Sequence, residues 1–168
     1  MIVLLTDAEE LGLEGAAAFF RRDPLARRVG AVVNVEARGG GGRTSMFETG
    51  DGNGEAMRLF AQAVRRPVGT SLNVFVYKLL PNNTDLTEAH RAGTPGYNFA
   101  FVGRPGLYHP PLATPDALDR GSLQDMGRQV LDLSRALADA PTLPGRAPDL
   151  VFFDLFGLTF VTYSPALG

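Results

Sequence analysis

The sequence predicts an α/β domain with a mixed, largely parallel central sheet and helices on both faces. Three observations lead there. Short apolar, β-prone runs ("MIVLL", "AVVNVE", "GYNFAFVG") alternate with segments of helical period. These runs are continuous rather than alternating, as expected of strands buried on both faces. Acidic residues follow the first two of them, Glu9 and Glu10 after one and Glu36 after the other. That is the carboxyl end of a strand, where open α/β sheets gather their ligands.

In chain order, Ile2 to Leu5 reads as a buried strand. Asp7 is placed to cap a helix that carries Leu11, Leu13, Ala16, Phe19 and Phe20 as far as about Arg22. Ala31 to Glu36 is a second strand, closed by a glycine-rich turn. "TSMFETG" reads as a short strand, and "NGEAMRLFAQAVRR" as a helix with Met57, Phe60 and Ala61 inward. "SLNVFVYKLLP" reads as extended, and "NNTDLTEAHRAG" as a polar turn and short helix ended by Gly93. "GYNFAFVG" is a further strand and "LYHPPLATPDALD" a proline-rich loop. Gly121 to Leu137 is an amphipathic helix with Met126, Val130, Leu131, Leu133 and Leu137 on its apolar side. "APTLPGRAPD" has the composition of a linker. The expected organisation is therefore a folded portion over 1–139, a linker over 140–149 and an apolar tail over 150–168.

Composition excludes several classes. A length of 168 residues with 45% hydrophobic content fits one domain with a sizeable core. A net charge of −2 and scattered arginines give no reason to expect nucleic acid as a partner. The absence of cysteine excludes disulfides and thiolate metal sites. The opening apolar run is too short for a signal peptide and lacks a basic flank. "RGGGGR" lacks the Lys-Ser/Thr ending of a phosphate loop.

Glu9 and Glu10 have an ordinary explanation, since acidic residues in a first helical turn complement the helix dipole. The other reading is chemical. Adjacent helical residues point roughly 100° apart, so one carboxylate can hold a metal while its neighbour faces the attacking water. Spacing alone does not choose between them.

Four further stretches bear on that choice. "LLTDAEELGLEGA", "VVNVEARG", "LPNNTDLTEAHRAGTPGYNFAF" and "YHPPLATP" occur in this order over roughly residues 2 to 139. Together they resemble the zinc aminopeptidase family that also includes glutamate carboxypeptidases and glutaminyl cyclases, metallopeptidase family twenty-eight. The pattern is similar to that of its membrane-anchored branch. The resemblance implies a hydrolase acting on peptide substrates with two zinc ions. It implies Glu9 as the general base, which takes a proton from zinc-activated water and returns it to the leaving amine. Glu10 and His109 match ligands of one zinc, and Glu36 matches the carboxylate ligand of the second. Thr84 and Asp85 match a turn beside the substrate pocket. A lone histidine in a loop is more often a surface residue, and it is the motif around His109 that favours a ligand.

The departures from the family matter equally. Members carry another His and a zinc-bridging Asp on a segment ahead of the Glu-Glu motif, and this sequence contains no such segment. His90 matches no ligand position. Pro110 and Ala113 stand where the family's histidine loop usually has Thr and Asp, which removes a partner of the kind that orients metal ligands. The resemblance thus implies a partial ligand set and a fragment inactive by itself. The alternative is a degenerate, non-enzymatic homologue of the same fold that serves as an interaction domain. The tail, "LVFFDLFGLTFVTY", is shorter than the roughly 20 residues that cross a bilayer. It reads either as a last element packed on the core or as the entry to a membrane region. The second option implies a membrane-associated protein with its peptidase domain outside the cytosol.

Overall fold

A computed structural model describes residues 1–167. The central sheet has three strands in the order β1-β3-β2, formed by β1 (Val32–Ala37), β2 (Gly41–Thr49) and β3 (Gly96–Gly103). β1 runs parallel to β3, pairing Val32 with Gly96 and Glu36 with Ala100. β2 runs antiparallel to β3 and contains an irregularity between Met46 and Glu48. The sheet is mixed, with one pairing of each kind, and helices cover both of its faces.

One face holds the main core. Tyr97 and Phe99 of β3 and Met46 of β2 pack against Met57 and Phe60 of α2 (Gly54–Ala63) and Leu133 of α5 (Arg120–Asp139). All of these are almost completely buried. α1 (Glu14–Arg22), α3 (Ser71–Leu79) and α4 (Asp85–Arg91) complete the helices. The opposite face of β3, carrying Asn98 and Ala100, meets Tyr77 of α3 and the start of α4. The extra residue in β2 lets Phe47 and Glu48 both reach this second face, Phe47 against Tyr77 and Glu48 against Asn98. α4 approaches β3 so closely that a Cβ on Gly96 would overlap Leu86, and glycine is the residue that fits.

Four sequence expectations require correction. Ile2 to Leu5 forms no strand, and Val3 and Leu5 are 75% and 91% exposed. Among the described residues β1 pairs only with β3, so this run has no sheet around it to bury its two faces. The stretch after Ser71 is the helix α3 rather than extended chain. Its β-branched valines suggested a strand, but the Thr70 hydroxyl accepts from the Leu72 N–H at 3.2 Å, and Val74 and Tyr77 share a buried side at helical spacing. Finally, α1 begins at Glu14 without a side-chain cap, and Asp7 instead accepts from the N–H of Ala8. In α5, Leu131 lies 46% exposed, off the buried stripe of Met126 and Leu133.

Residues 140–149 run beside α2, tied by the Gly145 N–H to Glu55 at 2.6 Å and the Leu150 N–H to Asn53 at 3.0 Å. Beyond them β4 (Val151–Leu155) and β5 (Thr159–Tyr163) form an antiparallel hairpin. Asp154 and Gly157, which interrupt the apolar run, make its turn: the Asp154 carboxylate accepts from the Gly157 N–H at 2.8 Å, and Phe156 and Gly157 both have positive φ. Phe152 is 1% exposed, and Phe160 meets the Phe60 ring edge-to-face at 5.3 Å. Among the described residues, no helix is long and apolar enough to cross a membrane.

Candidate functional site

Glu9 and Glu10 lie on an irregular turn and not in a helix. Ala8 and Leu13 adopt left-handed φ values of 58° and 63°, and the Leu13 N–H closes the turn on the Glu9 carbonyl at 2.8 Å. The acidic residue in the first turn of α1 is Glu14. Helix-dipole complementation therefore does not account for the Glu9–Glu10 pair.

The turn forms one wall of a cleft of about 560 Å³, whose lining includes Glu9, Glu10, Glu36, Arg38, Tyr108 and His109. Glu36 and Arg38 enter from the carboxyl end of β1, two positions apart and so on the same side of the strand. His109 enters from the proline-rich loop with φ of 59°, its ring stacked on Tyr108 at 3.9 Å. Its Nε2 lies 2.7 Å from Glu10 Oε1, with both side chains more than half exposed. Of the residues selected from sequence, Glu9, Glu10, Glu36 and His109 thus share one cleft. Thr84 does not line it: its side chain is buried beneath, accepting from Asn98 at 2.8 Å. Asp85 accepts a hydrogen bond from the Thr6 hydroxyl through Oδ2, while its Oδ1 is buried with no partner.

Electrostatics follow from this crowding. Burial raises the Glu9 carboxyl above its ordinary value, reinforced by the charges of Glu10 and Asp85 and opposed by Arg38 and His109. Burial also raises Glu36, opposed first by its hydrogen bond from Asn34. Both carboxyls are therefore easier to protonate than free ones.

A polar network supports Glu36 from below. The Asn34 Nδ2 donates to Glu36 Oε1 at 2.9 Å and to Asn98 Oδ1 at 3.0 Å. The Asn98 Nδ2 donates in turn to Glu48 Oε2 and Thr84 Oγ1, both at 2.8 Å. Each amide spends its two N–H groups on oxygen acceptors, so the orientation of both is fixed by their partners. Glu48 ends the chain, with His90 Nδ1 3.8 Å from its Oε1. The sequence reading did not select Asn34, Arg38 or Asn98. The signal for the two asparagines was present: each interrupts an otherwise apolar strand, and they are register partners.

Carboxylate and imidazole are suitable zinc donors, and the 2.7 Å contact brings one of each within reach of a single ion. The unpartnered Asp85 oxygen adds to the demand for positive charge near Glu9 and Glu36. The number of donors falls short. Among the described residues, no group of three or more His, Asp or Glu side chains stands close enough to hold a metal ion. These residues fit part of a zinc shell and not a closed one.

Comparison with known proteins bears on the family and the fold. Residues 1–134 match Peptidase family M28. The chain is 30% identical over 175 residues to "Endoplasmic reticulum metallopeptidase 1" of Mus musculus, covering 100% of this chain and 20% of that protein. It is 33% identical over 174 residues to "Vacuolar membrane protease" of Lachancea thermotolerans, covering 98% of this chain and 17% of that protein. The chain therefore spans about a fifth or less of the length of these relatives. Among solved structures, "Aminopeptidase from Aneurinibacillus sp. strain AM-1" is similar with a TM-score of 0.55 and 22% identity, covering 84% of this chain and 34% of that one. That likeness is one of fold.

Proposed function

This chain belongs to peptidase family M28, and from that premise we propose that it forms part of the active-site wall of a zinc-dependent aminopeptidase acting on peptides. The observation that carries the reading is the meeting of Glu10 and His109 at 2.7 Å on the lip of a cleft that also holds Glu9 and Glu36. Glu10 and His109 would hold one ion, and Glu36 would contribute to a second. Bound zinc supplies Lewis-acid polarisation of a carbonyl and a more acidic water. Glu9 is the proton carrier: it stands free of the Glu10–His109 contact, and its raised pKa lets a carboxylate both accept and return a proton. The Asn34 donor and the network behind it hold Glu36 in place. Tyr108, stacked on His109, restrains the imidazole plane.

With two donors for one ion and one for the other, the chain alone binds zinc weakly and has negligible peptidase activity. Titration calorimetry tests this. Weak zinc binding is expected, lost in Glu10→Ala and in His109→Ala and kept in Glu9→Gln, which removes the proton carrier and no ligand. Tight binding of two zincs per chain, or robust cleavage of aminoacyl substrates, would overturn the claim of a partial site. The lack of any convergent group of three donors among the described residues favours a second reading, a degenerate homologue that serves as an interaction domain. No zinc binding at any concentration would select it. One relative is named for the endoplasmic reticulum and another for the vacuolar membrane, and on that likeness the proposed location is membrane-associated, with the peptidase domain outside the cytosol as part of the same proposal.

A further inference from the structure

Arg38 is the cation of the cleft wall, and it is held in an unusual way. Its guanidinium lies 5.4 Å from the ring centre of Tyr77, 5.7 Å from Phe47 and 5.9 Å from Tyr108. Among the described residues, its side chain makes no hydrogen bond or ion pair, although Glu9 and Glu36 line the same cleft. Its backbone is fixed, since the Arg38 N–H extends the sheet ladder to the Phe101 carbonyl at 3.1 Å. Tyr77 is a neutral platform, its phenol pushed up to about 12 chiefly by burial. Aromatic faces hold a guanidinium through its π surface and leave the rim of N–H donors available. That rim matches a carboxylate in a two-point geometry.

We propose that Arg38, boxed by Phe47, Tyr77 and Tyr108, is a specificity residue that binds a carboxylate of the peptide on the leaving side of the bond that is cut. The inference rests on the peptidase reading above and deepens it by naming the substrate class: short peptides with a carboxylate one or two residues beyond that bond. The spacing supports this. Arg38 stands two residues after Glu36, just past the end of β1, roughly 6.6 Å along an extended backbone, which is the span of about two residues. Tyr108 also touches both the guanidinium and His109, so the carboxylate subsite adjoins the candidate ligand directly.

The experiment follows the Arg38 Nε–H resonance in the metal-free chain during titration with three probes: Ala-Ala, Ala-Ala amide and Ala-Asp amide. The expected result is a saturable shift with Ala-Ala or Ala-Asp amide and none with Ala-Ala amide. The responding arm identifies a terminal or a side-chain carboxylate as the source. Equal responses to all three probes, or no saturable response to any, would overturn the proposal. Read instead from the backbone amide resonances of the cleft, which both variants keep, the preference should be lost in Arg38→Met, with folding checked by circular dichroism. Arg38→Lys keeps the charge without the fork and should still bind the preferred probe at least about tenfold more weakly. Full rescue by lysine would mean that Arg38 only balances the charge of Glu9 and Glu36, and would sink the carboxylate subsite. Zinc calorimetry on the same samples is independent: a chain that selects carboxylates but never binds zinc fails the metallopeptidase reading alone.

Discussion

His109 Nε2 and Glu10 Oε1 lie 2.7 Å apart although they are distant in sequence, Glu10 on the turn before α1 and His109 on the loop after β3. Both side chains are more than half exposed, so solvent screens the pair and its contribution to stability is small. His109→Ala should change the unfolding free energy by no more than about 1 kcal/mol, measured by urea denaturation. A much larger loss would make the histidine a structural residue and weaken its reading as a ligand.

Asn98 is the opposite case. It is fully buried, and its side chain serves Glu48, Thr84 and Asn34 at once. Asn98→Leu fills the same space but strands these three partners, at about 1–3 kcal/mol for each group left unsatisfied. We expect a loss of at least about 3 kcal/mol in chemical denaturation. A neutral result would mean that water replaces the amide and that Glu36 is not held through it.

The tail hairpin can be tested by one side chain. Phe152 is 1% exposed and stacks with Phe160 over the main core. Phe152→Ala should cost about 3–5 kcal/mol, and deletion of residues 150–168 should abolish a sharp thermal transition. A truncated chain that melts as the full one does, with better solubility, would instead support a tail made for membrane entry.

His90 gives a prediction in pH. Its pKa is lowered from 6.5 by burial first and by Lys78 second, against a smaller opposing effect from Asp51. Glu48 faces it from β2 at 3.8 Å. The folded state therefore binds this proton less readily than the unfolded state. Stability from the neutral imidazole is complete above the ordinary pKa of 6.5 and declines as pH falls from there through the lowered folded value. In His90→Gln the fall in melting temperature over that window should flatten. An identical pH profile in both proteins would show that His90 does not titrate across it.

The fold was legible where periodicity and packing agree. α2, α5, β1 and β3 stand close to their expected positions because each joins one apolar face to one core. The errors fell where partners decide the outcome. Ile2 to Leu5 has strand composition but no sheet neighbours, and α3 has strand-like residues but a helical cap and a buried Val74–Tyr77 side. The site divides similarly. The resemblance singled out Glu9, Glu10, Glu36 and His109, and the fold brings these four to one cleft. Arg38 and the asparagine network escaped it because their meaning lies in rings and amides contributed by other elements.

The uncovered edge of β1 has a practical consequence. A strand with free N–H and C=O groups is a template for another strand, and among the described residues the outer edge of β1 pairs with no strand and displays Val35 at 52% exposure. With a net charge of only −2, long-range repulsion between molecules is weak. Self-association through this edge is the expected consequence, and light scattering should find it rising with protein concentration and relieved by a charge placed at Val35. The side of the sheet that lies away from β2 is thus where colloidal stability is to be designed in, before any chemistry is studied.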